Sequence, residues 1–110
     1  MCRHVCTVGV IGGRESDIPR GKGLILFKVL KGHADYSPDL VEALYRCCLC
    51  GLCETWCKAD CRPPDAVLAA RADLVAQGKE PAAVRRIRDH LLQTGNPFGL
   101  PPEERFQALS

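Results

Sequence analysis

Four cysteines stand close enough in sequence to ligate one inorganic centre. Cys47, Cys50, Cys53 and Cys57 follow one another as C-x2-C-x2-C-x3-C. This is the thiolate spacing that holds iron–sulfur cubanes. Two residues between ligands let a tight loop turn three thiolates towards three corners of one cluster. The fourth cysteine leaves on the following turn, where it can serve a neighbouring cluster. Lys58 stands where the usual run has proline, a departure that removes no ligand. Zinc is the chemical rival, but structural zinc sites commonly draw on separated C-x2-4-C pairs. Three ligands at x2 spacing from one loop favour the cubane, and a zinc-stabilised interaction module without a redox role is the alternative.

A shorter echo opens the chain. Cys2 and Cys6 have the C-x3-C spacing of the last two cysteines of the longer run. The register predicts two more cysteines before residue 1, and hence an N-terminal truncation. A genuine start with a two-cysteine arm is the other reading. The remaining cysteines are Cys48 and Cys61. Cys61 follows Cys57 by another x3 step and is a further candidate ligand. Cys48 falls on an apolar helical stripe, where a cysteine also packs as a small buried hydrophobe.

Around these sulfurs lie Arg3, Arg46, Lys58 and Arg62. Cations beside an anionic cluster would favour its reduced form; the plain reading of each is a solvated surface charge. Trp56, between two cysteines, shields a cluster or packs as core. His4 is read as surface or as a neighbour of the ligands, since a Rieske centre needs two histidines in another pattern. His33 and His90 are read as structural. No acid–base pair or nucleophile arrangement emerges, and Glu103-Glu104 are read as solvated, so no catalytic residue is assigned.

The elements that must position these residues read as helices. Ser37-Pro38 is a serine N-cap with proline at the first helical position. Asp39 and Glu42 suit the positive end of the helix dipole. Leu40, Val41, Leu44, Tyr45 and Cys48 recur at helical spacing and lead into the cysteine run. Asp65 to Gln77 reads as a second helix, with Leu68, Ala72 and Val75 on one stripe, Val67 and Leu74 beside it, and Gly78 as its stop. Pro81 to Thr94 reads as a third, with Val84, Ile87, Leu91 and Leu92 inward, Arg85, Arg86 and Arg88 on other faces, and Gly95 as its stop. Asn96 to Gly99 is a turn, and Pro101-Pro102 opens a last short helix through Leu109. Residues 7–23, rich in glycine, read as a loop that fits no nucleotide-binding motif. Leu24 to Leu30 is a short apolar run read as helix. The fold class is therefore mostly α.

Composition narrows the rest. The chain has 110 residues, a net charge of +2 and eight cysteines in two groups. This length predicts one domain over 1–110, with a cysteine arm and glycine-rich loop (1–23), helices with the main motif (24–61) and a helical C-terminal part (62–110). A core this small commonly draws stability from metal centres. The charge is too small, and aromatic residues at 5% too few, to argue for nucleic acid. No apolar run approaches the roughly 18–20 residues of a membrane span. Clustered cysteines without a signal peptide point to a reduced, cytoplasmic setting rather than a disulfide scaffold.

Beyond the cysteine run, Val67-Leu68-Ala69-Ala70-Arg71-Ala72-Asp73-Leu74 and Thr94-Gly95-Asn96-Pro97-Phe98-Gly99 carry a family resemblance. The chain resembles the N-terminal iron–sulfur region of heterodisulfide reductase-like proteins. These include iron–sulfur subunits of glycolate oxidase, lactate-utilisation and anaerobic glycerol-3-phosphate dehydrogenase systems. The resemblance implies an α-helical ferredoxin-like domain with two 4Fe-4S clusters. Such a domain is an electron-transfer component rather than a complete catalyst. Its implied partner is a flavoprotein dehydrogenase or a reductase subunit, which can also hold it at the inner face of a membrane. The Cys-Cys-Gly motifs that usually follow in such proteins are missing from this sequence. The usual crossover places Cys47, Cys50, Cys53 and Cys6 on one cubane. Cys57 and Cys2 then serve a second, which Cys48 and Cys61 could complete. One cluster is expected on this basis, and two are within the arithmetic.

Overall fold

The computed structural model describes residues 2–104 and residue 106, and those residues are mostly helical, with no strand among them. Two compact units divide the chain, Met1–Lys79 and Glu80–Ser110.

The described residues of the first unit hold six α-helices. Two short ones, α1 (Cys2–Val5) and α2 (Thr7–Gly12), lead through a 3-10 turn at Glu15–Asp17 into α3 (Pro19–Leu30). α4 (Pro38–Tyr45) precedes the cysteine loop, the single turn α5 (Leu52–Thr55) lies within that loop, and α6 (Pro63–Ala76) follows it. α4 begins as its sequence dictates: Ser37 caps it, its hydroxyl accepting from the Leu40 amide at 3.4 Å, and Pro38 takes the first position. α3 and α4 both pack on α6. Their shared core is Leu26, Val41, Leu44, Val67, Ala70 and Leu74, with Tyr36, Tyr45, Cys47 and Leu49 packed against it.

The glycine-rich stretch is a correction to the loop expected over 7–23, since most of it is helical. Proline at the first position starts α3. The glycines serve close packing. A Cβ on Gly21 would press into the Glu15 carbonyl, so only glycine lets α3 lie directly on the 3-10 turn.

α6 also differs from its expected stripe. Its buried residues are Val67, Ala70 and Leu74, whereas Leu68 is 56% exposed. Alanines line several faces of this helix, so its pattern admits more than one stripe, and packing on α3 and α4 selects one.

The second unit carries α7 (Ala82–Thr94), capped by Gly95 in the left-handed region at φ 65°. None of its residues is buried, and Ile87, Leu91 and Leu92, expected inward, are exposed. The Asn96–Gly99 turn is tied by its own polar groups. Asn96 Oδ1 accepts from the Phe98 amide at 2.9 Å, and Thr94 Oγ1 donates to the His90 carbonyl at 3.0 Å. His90 Nδ1 lies 3.1 Å from the Pro97 carbonyl oxygen, a structural use of that histidine. A 3-10 turn over Pro102–Glu104 stands where the last helix was expected, and most of the rest of that stretch, 105 and 107–109, lies outside the described residues.

Candidate metal centre

α4 ends at Tyr45, and the chain then runs without regular structure through Arg46 to Cys50. Two features turn it. Leu49 adopts φ 56°, uncommon for a branched residue, and is held there by packing on the core. Gly51 follows with φ 77° and opens α5. Arg71, on α6, donates from Nη2 to the Leu44 carbonyl at 2.8 Å and to the Cys47 carbonyl, and its guanidinium stacks 4.9 Å from the Tyr45 ring centroid. The end of α4 is thereby tied to the start of the cysteine loop.

The outcome is a cleft lined by Cys6, Cys47, Cys48, Cys50 and Cys53, with Asp17, Lys22 and mostly apolar neighbours. Cys6 comes from the far end of the sequence. It is delivered as the N-cap of α2, where its sulfur accepts from the Gly9 amide at 3.4 Å. Its thiol also donates to the Asp17 carbonyl at 3.6 Å. Burial pushes the Cys53 thiol up, and the neighbouring Cys47 sulfur adds to that.

Cys57 and Cys61 form a separate pair. The Cys61 thiol donates to the Ala59 carbonyl at 3.7 Å. The Cys61 and Ala59 backbone lowers the Cys57 pKa, and the neighbouring Cys57 raises that of Cys61. Cys48 lies with the first cleft, exposed rather than packed in a core. Trp56 is 60% exposed and neither packs as core nor lines the cleft, but stands beside Cys57 and Lys58 on a shallow surface pocket.

Among the described residues no three histidine, cysteine or carboxylate side chains form a ready group around a single ion. A cubane takes each thiolate at a separate iron, so its ligands need not meet at one point. The donor set suits that group: Cys6, Cys47, Cys50 and Cys53 are four of the five free thiols on one cleft, and one of them already accepts a backbone hydrogen bond.

The cations distribute unevenly. Arg46 is spent on carboxylates, with Nη1 3.0 Å from Asp17 Oδ1 and Nη2 on Glu42 Oε1. Arg62 pairs at the surface with Glu54 and Asp65, both at 3.1 Å. Arg3, His4 and Lys58 are exposed. Asp17 is fully buried; burial pushes its carboxyl up, but hydrogen bonds from Arg46 and Arg14 outweigh this and hold it below the usual range. The cation that lines the cleft is Lys22, which the sequence reading passed over inside a supposed loop. Its signal was there: Ile18, Lys22 and Leu26 share one helical face, so a helix starting at Pro19 turns Lys22 inward. Burial pushes its ammonium pKa down, against the pull of Cys47, Cys6 and Asp17.

The chain matches no protein-family model, no curated protein and no solved structure. Among the described residues no helix is long and apolar enough to cross a membrane.

Proposed function

We propose that this chain is an iron–sulfur electron-transfer module in which Cys6, Cys47, Cys50 and Cys53 hold a 4Fe-4S cluster. The observation that carries the reading is the cleft itself. Folding brings Cys6 to the same cavity as the three cysteines of the loop, and the C-x2-C-x2-C spacing alone could not have done that. When bound, such a cluster supplies one-electron redox chemistry, and the surrounding protein sets its potential through charge, hydrogen bonds to sulfur and exposure. This chain's own residues do the rest. The Gly9 amide donates to the Cys6 sulfur, Arg71 fixes the Cys47 backbone, and Leu52, Val67 and the two prolines at 63 and 64 wall the cleft.

Cys2, Cys57 and Cys61 are the free cysteines that do not line the cleft, and so the ligands available for a second centre. The partner that fits is a flavin-linked dehydrogenase or a heterodisulfide reductase-like complex, at which single electrons enter or leave. A cytoplasmic setting, with or without attachment to a membrane through that partner, follows from the same reading.

The test is a set of single cysteine-to-serine variants reconstituted anaerobically with iron and sulfide. Cys6→Ser, Cys47→Ser, Cys50→Ser and Cys53→Ser should each lose the 4Fe-4S absorbance and most of the bound iron. Cys48→Ser should keep both. Full iron retention by Cys6→Ser would remove Cys6 from the ligand set. Zinc without sulfide in the parent protein would replace the reading with a structural zinc module.

A further inference from the structure

Lys22 is a buried cation with no carboxylate in direct contact, although the Asp17 carboxylate on the same cleft adds its charge from further away. It is 2% exposed, and its ammonium donates to two backbone carbonyls, that of Ser16 at 3.3 Å and that of Asp17. The Asp17 carboxylate is turned away to Arg14 and Arg46, at 3.2 and 3.0 Å. Among the described residues no acidic side chain lies within ion-pair distance of Lys22. A buried charge left in this state is costly unless something of opposite sign completes it. An ammonium has three donors, and the carbonyls of Ser16 and Asp17 take two. The side chain lines the cleft together with Cys6, Cys47, Cys48, Cys50 and Cys53.

We infer that Lys22 is the counter-cation of an anionic occupant of this cleft, and that it raises the reduction potential of the bound cluster. The inference rests on the electron-transfer reading above. A cubane with four thiolate ligands is an anion whose negative charge grows by one on reduction. A fixed positive charge at its edge stabilises the reduced state more than the oxidised one. The other nearby cations cannot do this as well, because Arg46 is neutralised by Asp17 and Glu42, while Arg3 and Lys58 are screened by water. The carbonyls of Ser16 and Asp17 hold the ammonium in place, and the Asp17 carbonyl also receives the Cys6 thiol. Lys22 and, in the cluster-free protein, the Cys6 thiol therefore meet at one carbonyl.

The experiment compares the parent protein with Lys22→Met, Lys22→Gln and Lys22→Arg after anaerobic reconstitution, by EPR-monitored redox titration. Poised where the parent is half reduced, the Met and Gln variants should show a reduced-to-oxidised ratio about tenfold lower. For one electron that is a shift of about 59 mV. Lys22→Arg should stay with the parent. Thermal melts of the cluster-free proteins separate a structural role from this one. With no anion present, Lys22→Met removes an uncompensated buried charge and should melt at or above the parent. Loss of cluster loading in the Met and Gln variants, with loading kept in Lys22→Arg and unimpaired melts, also supports the assignment.

Two results from the Lys22 variants would overturn it. One is a loaded Lys22→Met protein whose ratio is unmoved, which leaves the electron-transfer reading standing. The other is a Met variant that fails to load and whose cluster-free form melts well below the parent, which makes Lys22 structural. A parent that takes up no iron and sulfide overturns this inference and the electron-transfer reading together.

Discussion

The guanidinium of Arg71, on α6, donates to the carbonyl oxygen of Cys47, the first residue of the cysteine run. The same group holds the Leu44 carbonyl at the end of α4 and stacks on Tyr45. The carbonyls at a helix C-terminus have no partner within the helix, so Arg71 satisfies backbone groups and aims the loop at once. Arg71→Met should cost about 1–3 kcal/mol of stability, the usual range for a lost hydrogen bond to a charged group. Arg71→Lys should recover only part of this, because an ammonium lacks the planar fork that reaches two carbonyls together. Thermal melts followed by circular dichroism measure both, and iron uptake should fall in the same order.

Asp17 gathers four parts of the first unit. Its carboxylate takes Arg14 from the preceding loop and Arg46 from the end of α4, and its carbonyl receives Lys22 and the Cys6 thiol. Asp17→Asn leaves the carbonyl in place and removes the charge. With the side chain only 1% exposed and both arginines partly solvated, the cost should be about 2 kcal/mol or more at neutral pH. A melt indistinguishable from the parent would show that these pairs contribute nothing.

Gly21 offers a steric test. The Glu15 carbonyl it faces is backbone and cannot swing aside as a side chain can. Gly21→Ala should therefore destabilise the first unit by about 1–3 kcal/mol, the range for overpacking, despite alanine's better helix propensity. Gly23→Ala, with open space at that position, should be neutral or slightly stabilising. Chemical denaturation of the two variants side by side checks the contrast.

In the second unit, Glu80 sets an acid limit. Its side chain is 1% exposed and pairs with Arg85 at 3.0 Å and Arg88 at 2.8 Å. The Arg85 hydrogen bond, joined by one from the backbone and by the charge of both arginines, lowers the carboxyl pKa from 4.5 to about 2. A carboxyl pKa depressed in the folded state adds stability above its unfolded value, and that stability drains away as pH falls through the folded value. Protection of the α7 amides against hydrogen exchange should therefore hold above pH 4.5 and decline between pH 4.5 and about pH 2. Glu80→Gln should flatten that decline and lower protection at neutral pH. An unchanged slope in the variant would assign the acid sensitivity to other groups.

Much of this was legible in the sequence, for reasons that sit in particular residues. Ser37-Pro38 and the helix stops at Gly78 and Gly95 are local signals that depend on a few neighbouring atoms: α4 begins where they pointed, and α6 and α7 begin and end within a residue or two, whereas α4 stops at Tyr45, short of the Cys48 expected on its stripe. The thiol spacing from Cys47 to Cys57 is equally local. What the sequence hid was tertiary. Gly9, Gly12 and Gly21 look like turn residues but are places where another segment approaches too closely for a Cβ. Misreading them as loop concealed α2 and the start of α3, and with them Lys22. Leu68 and Val67 are equally apolar, and only the packing of α3 and α4 on α6 decides which of them is buried. Arg71 gave no signal at all, since its partners are carbonyl oxygens 24 and 27 residues away.

The most direct measurement of the central claim is metal and sulfide analysis of the parent protein after anaerobic reconstitution, paired with EPR after dithionite reduction. The account predicts at least about four irons and four acid-labile sulfides per chain and the signal of a reduced cubane. About eight of each, with spin coupling, would extend the account to Cys2, Cys57 and Cys61 as ligands of a second cluster. Tightly held zinc with no sulfide, and no signal on reduction, would contradict it.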